Sequence, residues 1–180
     1  AGLPPDQIIV VDNGSKDQSI EHLQLQIPGC RLLLMGCNAG FAKAVNRGLE
    51  LTTTDYAVLI NNDARIDASV FSALHRAFEA HPRAAFLGGR LLNEDGSLQN
   101  AIAAFPRLLP ELLPRTVQRM IWPQRTTGRF SADHDIQVES VIGALFSIRI
   151  SAAREIGFLD EAFFFFLEET EWCHRARQQS

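Results

Sequence analysis

Four short apolar runs, at residues 7–11 (QIIVV), 31–35 (RLLLM), 56–60 (YAVLI) and 84–87 (AAFL), punctuate the first ninety residues, and helical patterns separate them. Runs this short, aliphatic and without polar alternation read as strands buried on both faces. The segments between them carry their own start and stop signals. Asp17 or Ser15 is placed to cap a helix that reaches Gln26, and Pro28-Gly29 breaks it. Asn38-Ala39-Gly40 leads into a helix over 41–51, and Asp67 or Ala68 starts one that runs to His81 and stops at Pro82. Strands separated by helices need crossover connections, so the alternation predicts an α/β fold: a mostly parallel sheet flanked by helices.

The second half is less regular. Residues 91–98 enclose Asn93-Glu94-Asp95-Gly96, a hairpin turn signal. Residues 106–135 hold four prolines, five arginines and one tryptophan with weak periodicity, which reads as a long excursion with a short helix over 111–120. The pattern recovers over 138–150, where Gly143-Ala144 precedes the strand LFSIRI. A short helix follows at 152–156, and a last one runs from Glu168 to the end.

A net charge of −4 supplies no basic field for nucleic acid, so a nucleic-acid partner is not expected. No apolar stretch approaches the roughly 18 residues of a membrane span. Cys30, Cys37 and Cys173 form no CxxC pair. If residues 30–37 are extended, the first two thiols stand roughly 20 Å apart, beyond disulfide reach. Reduced cysteines fit a cytoplasmic setting.

Polar residues with chemical potential gather where the strands end. The run at 56–60 gives way to Asn61, Asn62 and Asp63. Open α/β sheets bind ligands at the ends of their parallel strands, and a carboxylate with neighbouring amides there can hold a divalent cation and, through it, a diphosphate. An ordinary turn is the other reading of these residues. Asp12, Asn13 and Gly14 end the first strand; Asp12 could bond a base N–H or a ribose hydroxyl while Gly14 lets the backbone approach, or the segment could simply be a capped turn. Asn38, Gly40, Phe41, Lys43 and Asn46 mark a helix start, where free N–H groups and the dipole favour anions, with Lys43 and Asn46 on one face. Near the C-terminus, GFLDEAFFFF precedes Glu168, Glu169 and Glu171. An apolar wall before acidic residues suits a general base tuned by partial burial, and Glu168 and Glu169 are the candidates. Glu171 is instead spaced to pair with Arg175 at i+4.

VDNGSKDQS, NAGFAKAVNRG, LINNDARID and GFLDEAFFFFLEETEWCHR, in this order and spacing, resemble the inverting family 2 glycosyltransferases of GT-A fold, and among them the rhamnosyltransferase-like branch that builds bacterial cell-surface polysaccharides. The resemblance spans roughly residues 7–177. It implies a single partial domain over 1–180: a donor-binding half over about 1–100, a variable excursion over 106–135 and an acceptor and catalytic part over 136–180. It implies that Asp12 contacts the donor nucleotide, that Asn61-Asn62-Asp63 is the DxD-like element with Asp63 ligating Mg or Mn, and that Glu169 is the base with Glu168 beside it. The donor would be a UDP- or dTDP-linked sugar and the acceptor a saccharide or lipid-linked, placing the full-length protein in the cytoplasm, peripherally at the inner face of the membrane.

The chain departs from the family pattern in three places. Asn61 stands at the first DxD-like position, and Glu169 stands where aspartate is common. The strand that precedes the Asp12 strand in the family, and the segment after position 180, are absent from the sequence, which reads as a domain truncated at both ends. Two rival readings remain at this point: a non-catalytic nucleotide-sugar-binding or scaffolding domain, and a nucleotidyltransferase, for which GSKDQS is a poor version of the glycine-rich basic loop.

Overall fold

The computed structural model describes residues 3–106 and 134–179, with Pro114, Thr116, Val117 and Met120 between them. Most of the 106–135 excursion, with the helix expected over 111–120, lies outside the described residues. A 3-10 turn at Pro5–Gln7 takes the start of the first expected strand, so β1 spans Ile9–Asp12. There follow α1 (Ser19–Gln26), β2 (Arg31–Leu34), α2 (Phe41–Glu50), β3 (Tyr56–Ile60), α3 (Ser69–Ala80) and β4 (Phe86–Gly88). The hairpin turn forms as its sequence dictates: Asn93 N–H donates to Ser97 O at 2.8 Å and Ser97 N–H to Asp95 Oδ1 at 2.9 Å. The strands β5 (Ile102–Ala103), β6 (Ser140–Val141) and β7 (Leu145–Arg149) come next, then α4 (Ile150–Ile156) and α5 (Glu168–Gln179).

The pairing departs from the simple alternation. β1 and β2 pair in parallel, with Ile9 opposite Arg31 and Asp12 opposite Leu34. β3 and β4, however, do not pair with each other. β7 lies between them and runs antiparallel to both, with Ile60 opposite Leu145 and Gly88 opposite Phe146. The physical reason lies in β7 itself: Leu145 to Ile148 are all buried, so this strand gains most from the centre of the sheet, where both faces are covered. Local periodicity identifies such a strand but not its neighbours.

The core forms where α2, β7, α4 and α5 meet. Ala42, Val45 and Leu49 present one face of α2 to Phe146 and Ile148 of β7, to Ile150 and Ala153 of α4, and to Trp172 and Cys173 of α5. On the other side Arg149 ties α3 to the sheet. Its guanidinium donates to Phe78 O (2.9 Å), Ala84 O (3.0 Å) and Tyr56 Oη (3.1 Å) while lying over the Tyr56 and Phe78 rings. All three cysteines are free thiols. Among the described residues no helix is long and apolar enough to cross a membrane.

Candidate active site

The loop after β1 and the start of α2 are knotted together by amides. Asn13 Nδ2 donates to Asn38 Oδ1 (3.0 Å) and Gly40 O (3.2 Å), while Ala39 N–H donates to Asn13 Oδ1 at 2.9 Å. Gly14 (φ +89°) and Gly40 (φ +93°) hold the left-handed backbone this path needs. A Cβ at Gly14 would lie 2.6 Å from the Cys37 carbonyl carbon, so the two loops meet backbone to backbone. Asp12 accepts from the N–H groups of Gly14 (3.2 Å) and Ser15 (3.1 Å). Hydrogen bonds from Ser15, side chain first, hold its carboxyl below the usual aspartate range, so it is ionised at neutral pH.

The start of α2 is less open than the sequence suggests. Gly40 N–H donates to Asn38 Oδ1 at 3.1 Å and Phe41 N–H to Phe164 O at 2.8 Å. The terminal N–H groups that could meet an anion are therefore partly spent on the chain. Lys43, half-buried, stands at the third residue of the helix. Asn46 faces inward: at 5% exposure it donates to Leu159 O (2.8 Å) and accepts from Leu159 N–H (3.0 Å). It grips the Gly157–Glu161 turn, a partner 113 residues away that no local pattern reveals. Asn46→Ala leaves a buried N–H and a buried C=O unpaired, and a loss of roughly 2–4 kcal/mol is expected. Urea denaturation checks this; a loss below about 1 kcal/mol would show that water replaces the amide.

The same turn is held from the other side. Trp172 Nε1–H donates to Gly157 O at 2.7 Å, and Arg175 donates to Ile156 O (2.9 Å) and Phe158 O (2.8 Å). Arg175 also pairs with Glu171 at 2.7 Å, as the i+4 spacing predicts. α2 and α5 are thus bolted to one turn.

Asn61, Asn62 and Asp63 leave the end of β3 as a turn, with Ala64 N–H donating to Asn61 O at 3.0 Å. Asn62 and Asp63 are exposed. Asn61 N–H points to Ala144 O at 3.4 Å, which joins this turn to the β6–β7 loop. That loop also meets the acidic helix: the Glu169 carboxylate lies against Gly143, where a Cβ would overlap its Oε1. The DxD-like turn and the candidate base therefore meet across two adjacent residues, Gly143 and Ala144. Sequence reasoning placed these two only as the lead into a strand; a small-residue pair there carries no distinguishing signal.

Glu169 is half-buried, and burial above all pushes its carboxyl up to about 6, with the neighbouring Glu168 carboxylate adding to the effect. Glu168 is 2% exposed, and its Oε2 has no hydrogen-bond partner among the described residues. The apolar wall does not cause this burial. Phe164, Phe165, Phe166 and Leu167 are 54–70% exposed, and Phe166 and Leu167 adopt φ of +70° just before the glutamates. The cover comes from the β6–β7 side instead, where Ser140 lies 3.4 Å from Thr170. A half-buried carboxylate poised near neutrality, beside the loop that meets the Asn61–Asp63 turn, can take a proton from a bound hydroxyl.

A sheet of this order, with an antiparallel strand inserted between β3 and β4 and acidic groups at its edge, is the GT-A arrangement of nucleotide-sugar transferases. The chain belongs to glycosyl transferase family 2, whose model matches residues 2–156. It is 27% identical over 183 residues to the N-acetylglucosaminyl-diphospho-decaprenol L-rhamnosyltransferase of Mycobacterium tuberculosis, covering 93% of this chain and 59% of that protein. The chain thus spans about three-fifths of the length of the curated relatives it matches. Among solved structures it resembles S. aureus TarS 1-349 in complex with UDP, with a TM-score of 0.59 and 13% identity over 97% of this chain and 47% of that one. It also resembles GalNAc-T7 with UDP, GalNAc and Mn2+, with a TM-score of 0.64 and 14% identity over 94% and 34%. At such identities the likeness is one of fold.

Proposed function

We propose that the chain forms the donor-binding and catalytic part of an inverting glycosyltransferase of cell-surface polysaccharide synthesis, with a donor half over about 1–100 and an acceptor part over 136–180. The donor is a sugar on UDP or dTDP, and the acceptor a saccharide or lipid-linked sugar, consistent with the acceptor in the mycobacterial relative's name. With a lipid-linked acceptor the protein works at a membrane surface, in this reading the cytoplasmic one. The observation that carries the reading is the junction at 143–144, where the DxD-like turn and a half-buried carboxylate converge.

In this reading Asp12 and the amide knot around Asn13 and Asn38 hold the nucleoside end of the donor. Glu169 takes the proton of the acceptor hydroxyl; the freed oxygen pair attacks the anomeric carbon from the face opposite the diphosphate, and the bond to the diphosphate oxygen breaks with inversion. Lys43, near the start of α2, faces the charge that builds on the leaving group.

A divalent cation fits the donor set in kind. Asp63 offers one exposed carboxylate beside two amides, and Mg-type ions are commonly held by one or two carboxylates plus substrate phosphates. Among the described residues no group of three His, Cys, Asp or Glu side chains is arranged to hold a metal ion, so Asp63 would hold the ion with the donor's own oxygens. Once bound, such an ion supplies charge neutralisation at the diphosphate.

The single carboxylate also favours a second reading, a nucleotide-sugar-binding domain without turnover. Calorimetric titration with UDP, dTDP and their sugars, with and without manganese and alongside a transfer assay, tests both. Asp63→Asn is expected to weaken manganese-dependent nucleotide binding by about tenfold or more, since it removes the one charged ligand. Undiminished manganese dependence would remove Asp63 from this role. Binding without transfer in the full-length protein would favour the second reading.

A further inference from the structure

The geometry points to Gly143 as the residue that seats the candidate base: its missing Cβ leaves the space the Glu169 carboxylate fills. The inference rests on the reading of Glu169 as base and adds a positioning residue to it.

Glycine can be required for a left-handed backbone, for close approach of another backbone, or for room. Gly14 and Gly40 answer to the first two, with positive φ and backbone neighbours. Gly143 does not: its φ lies outside the glycine-favoured region, and an alanine could adopt its conformation. What a Cβ there would meet is the Glu169 side chain. It would overlap Oε1 and lie 3.2 Å from Cδ, while Cγ at 3.6 Å is at ordinary contact distance. The obstructed atoms are the far end of a flexible side chain, so a methyl group at 143 evicts the carboxylate without disturbing the fold.

A further contact makes the position matter: the next residue, Ala144, accepts from Asn61 N–H at 3.4 Å. The seat of the base and the turn meant for the diphosphate are therefore linked through two adjacent residues of one loop. The spacing also bears on the length of the base. An aspartate at 169 would place its carboxyl carbon near the present Cγ, clear of a methyl group at 143. Gly143 gives room for the longer glutamate.

The test uses the full-length chain with 13C-labelled glutamate carboxyls, the Glu169 signal being assigned by its loss in Glu169→Gln. In Gly143→Ala the melting temperature is expected to stay at the parent's value, while the Glu169 titration midpoint falls from about 6 toward the ordinary glutamate range as the carboxylate moves into water. In the transfer assay Gly143→Ala is expected to lower kcat by ~100-fold with donor KM unchanged. Adding Glu169→Asp to Gly143→Ala should recover part of that loss. An unmoved midpoint overturns the proposal. So does unfolding of Gly143→Ala, because the methyl would then clash with more than a side-chain end, and so does a double variant slower than Gly143→Ala. Transfer retained in Glu169→Gln would instead remove the base assignment, while the titration still judges the seat.

Discussion

Glu169→Gln is expected to lower kcat for sugar transfer by ~10²–10⁴-fold, the usual contribution of a general base, while leaving nucleotide affinity within about twofold of the parent. The substitution keeps the side chain's size but removes the site that takes the proton. The pH dependence provides an independent check. Only the ionised carboxylate can act as base, so the parent's rate should rise about tenfold per unit at low pH and level off above the value near 6 at which Glu169 titrates. That limb should vanish in the variant. Transfer at the parent's rate in Glu169→Gln would sink the assignment and return attention to Glu168.

The same group makes a prediction about stability with the opposite sense. Its carboxyl is raised in the folded chain, chiefly by burial, so the fold binds a proton that the unfolded chain releases more readily. The protonated form is favoured by folding at low pH, and this contribution is lost as pH rises through about 6. Above that pH the folded chain bears the cost of a half-buried charge. Glu169→Gln removes the cost, so the variant should melt no lower than the parent at neutral pH. A site that trades stability for a poised acid or base behaves in this way.

How much of this could be read from the sequence depends on how local the chemistry is. The strand ends and the Glu171–Arg175 pair were legible, because each is fixed by neighbours within a few residues. The family itself was legible from four ordered motifs. The insertion of β7 between β3 and β4 was not, since burial pattern marks a strand as central without naming its partners. Asn46 read as a donor contact because it shares a helix face with Lys43. Its amide is in fact spent on Leu159, which only the folded chain brings near. The phenylalanines read as a wall that buries the glutamates, yet they stand exposed and the cover comes from the 140–143 segment. In each case the missing information was a long-range contact.

Trp172→Ala is expected to destabilise the chain by about 3–5 kcal/mol, the range for truncating a large buried aromatic. Trp172 is 1% exposed, stacks on Phe146 at 5.9 Å with the rings 6° apart, and lies 4.4 Å from the Phe86 ring. It therefore joins α5 to the central strand β7 and to β4 beside it, and through Nε1–H to the turn at Gly157. Against the 5–15 kcal/mol of a typical domain, such a loss takes a large share of the total. Trp172→Phe separates the two parts of the effect. It keeps an aromatic ring against Phe146 but removes the donor to Gly157 O, which retains a longer bond from Arg175 at 3.3 Å, so it should cost only about 1–2 kcal/mol. Urea denaturation of both variants measures the difference, and a Trp172→Ala loss within about 1 kcal/mol of Trp172→Phe would show that packing is not what fixes α5. Because Glu168 and Glu169 open the helix that Trp172 anchors, transfer should fall in Trp172→Ala even at temperatures where the chain remains folded, and in Trp172→Phe far less.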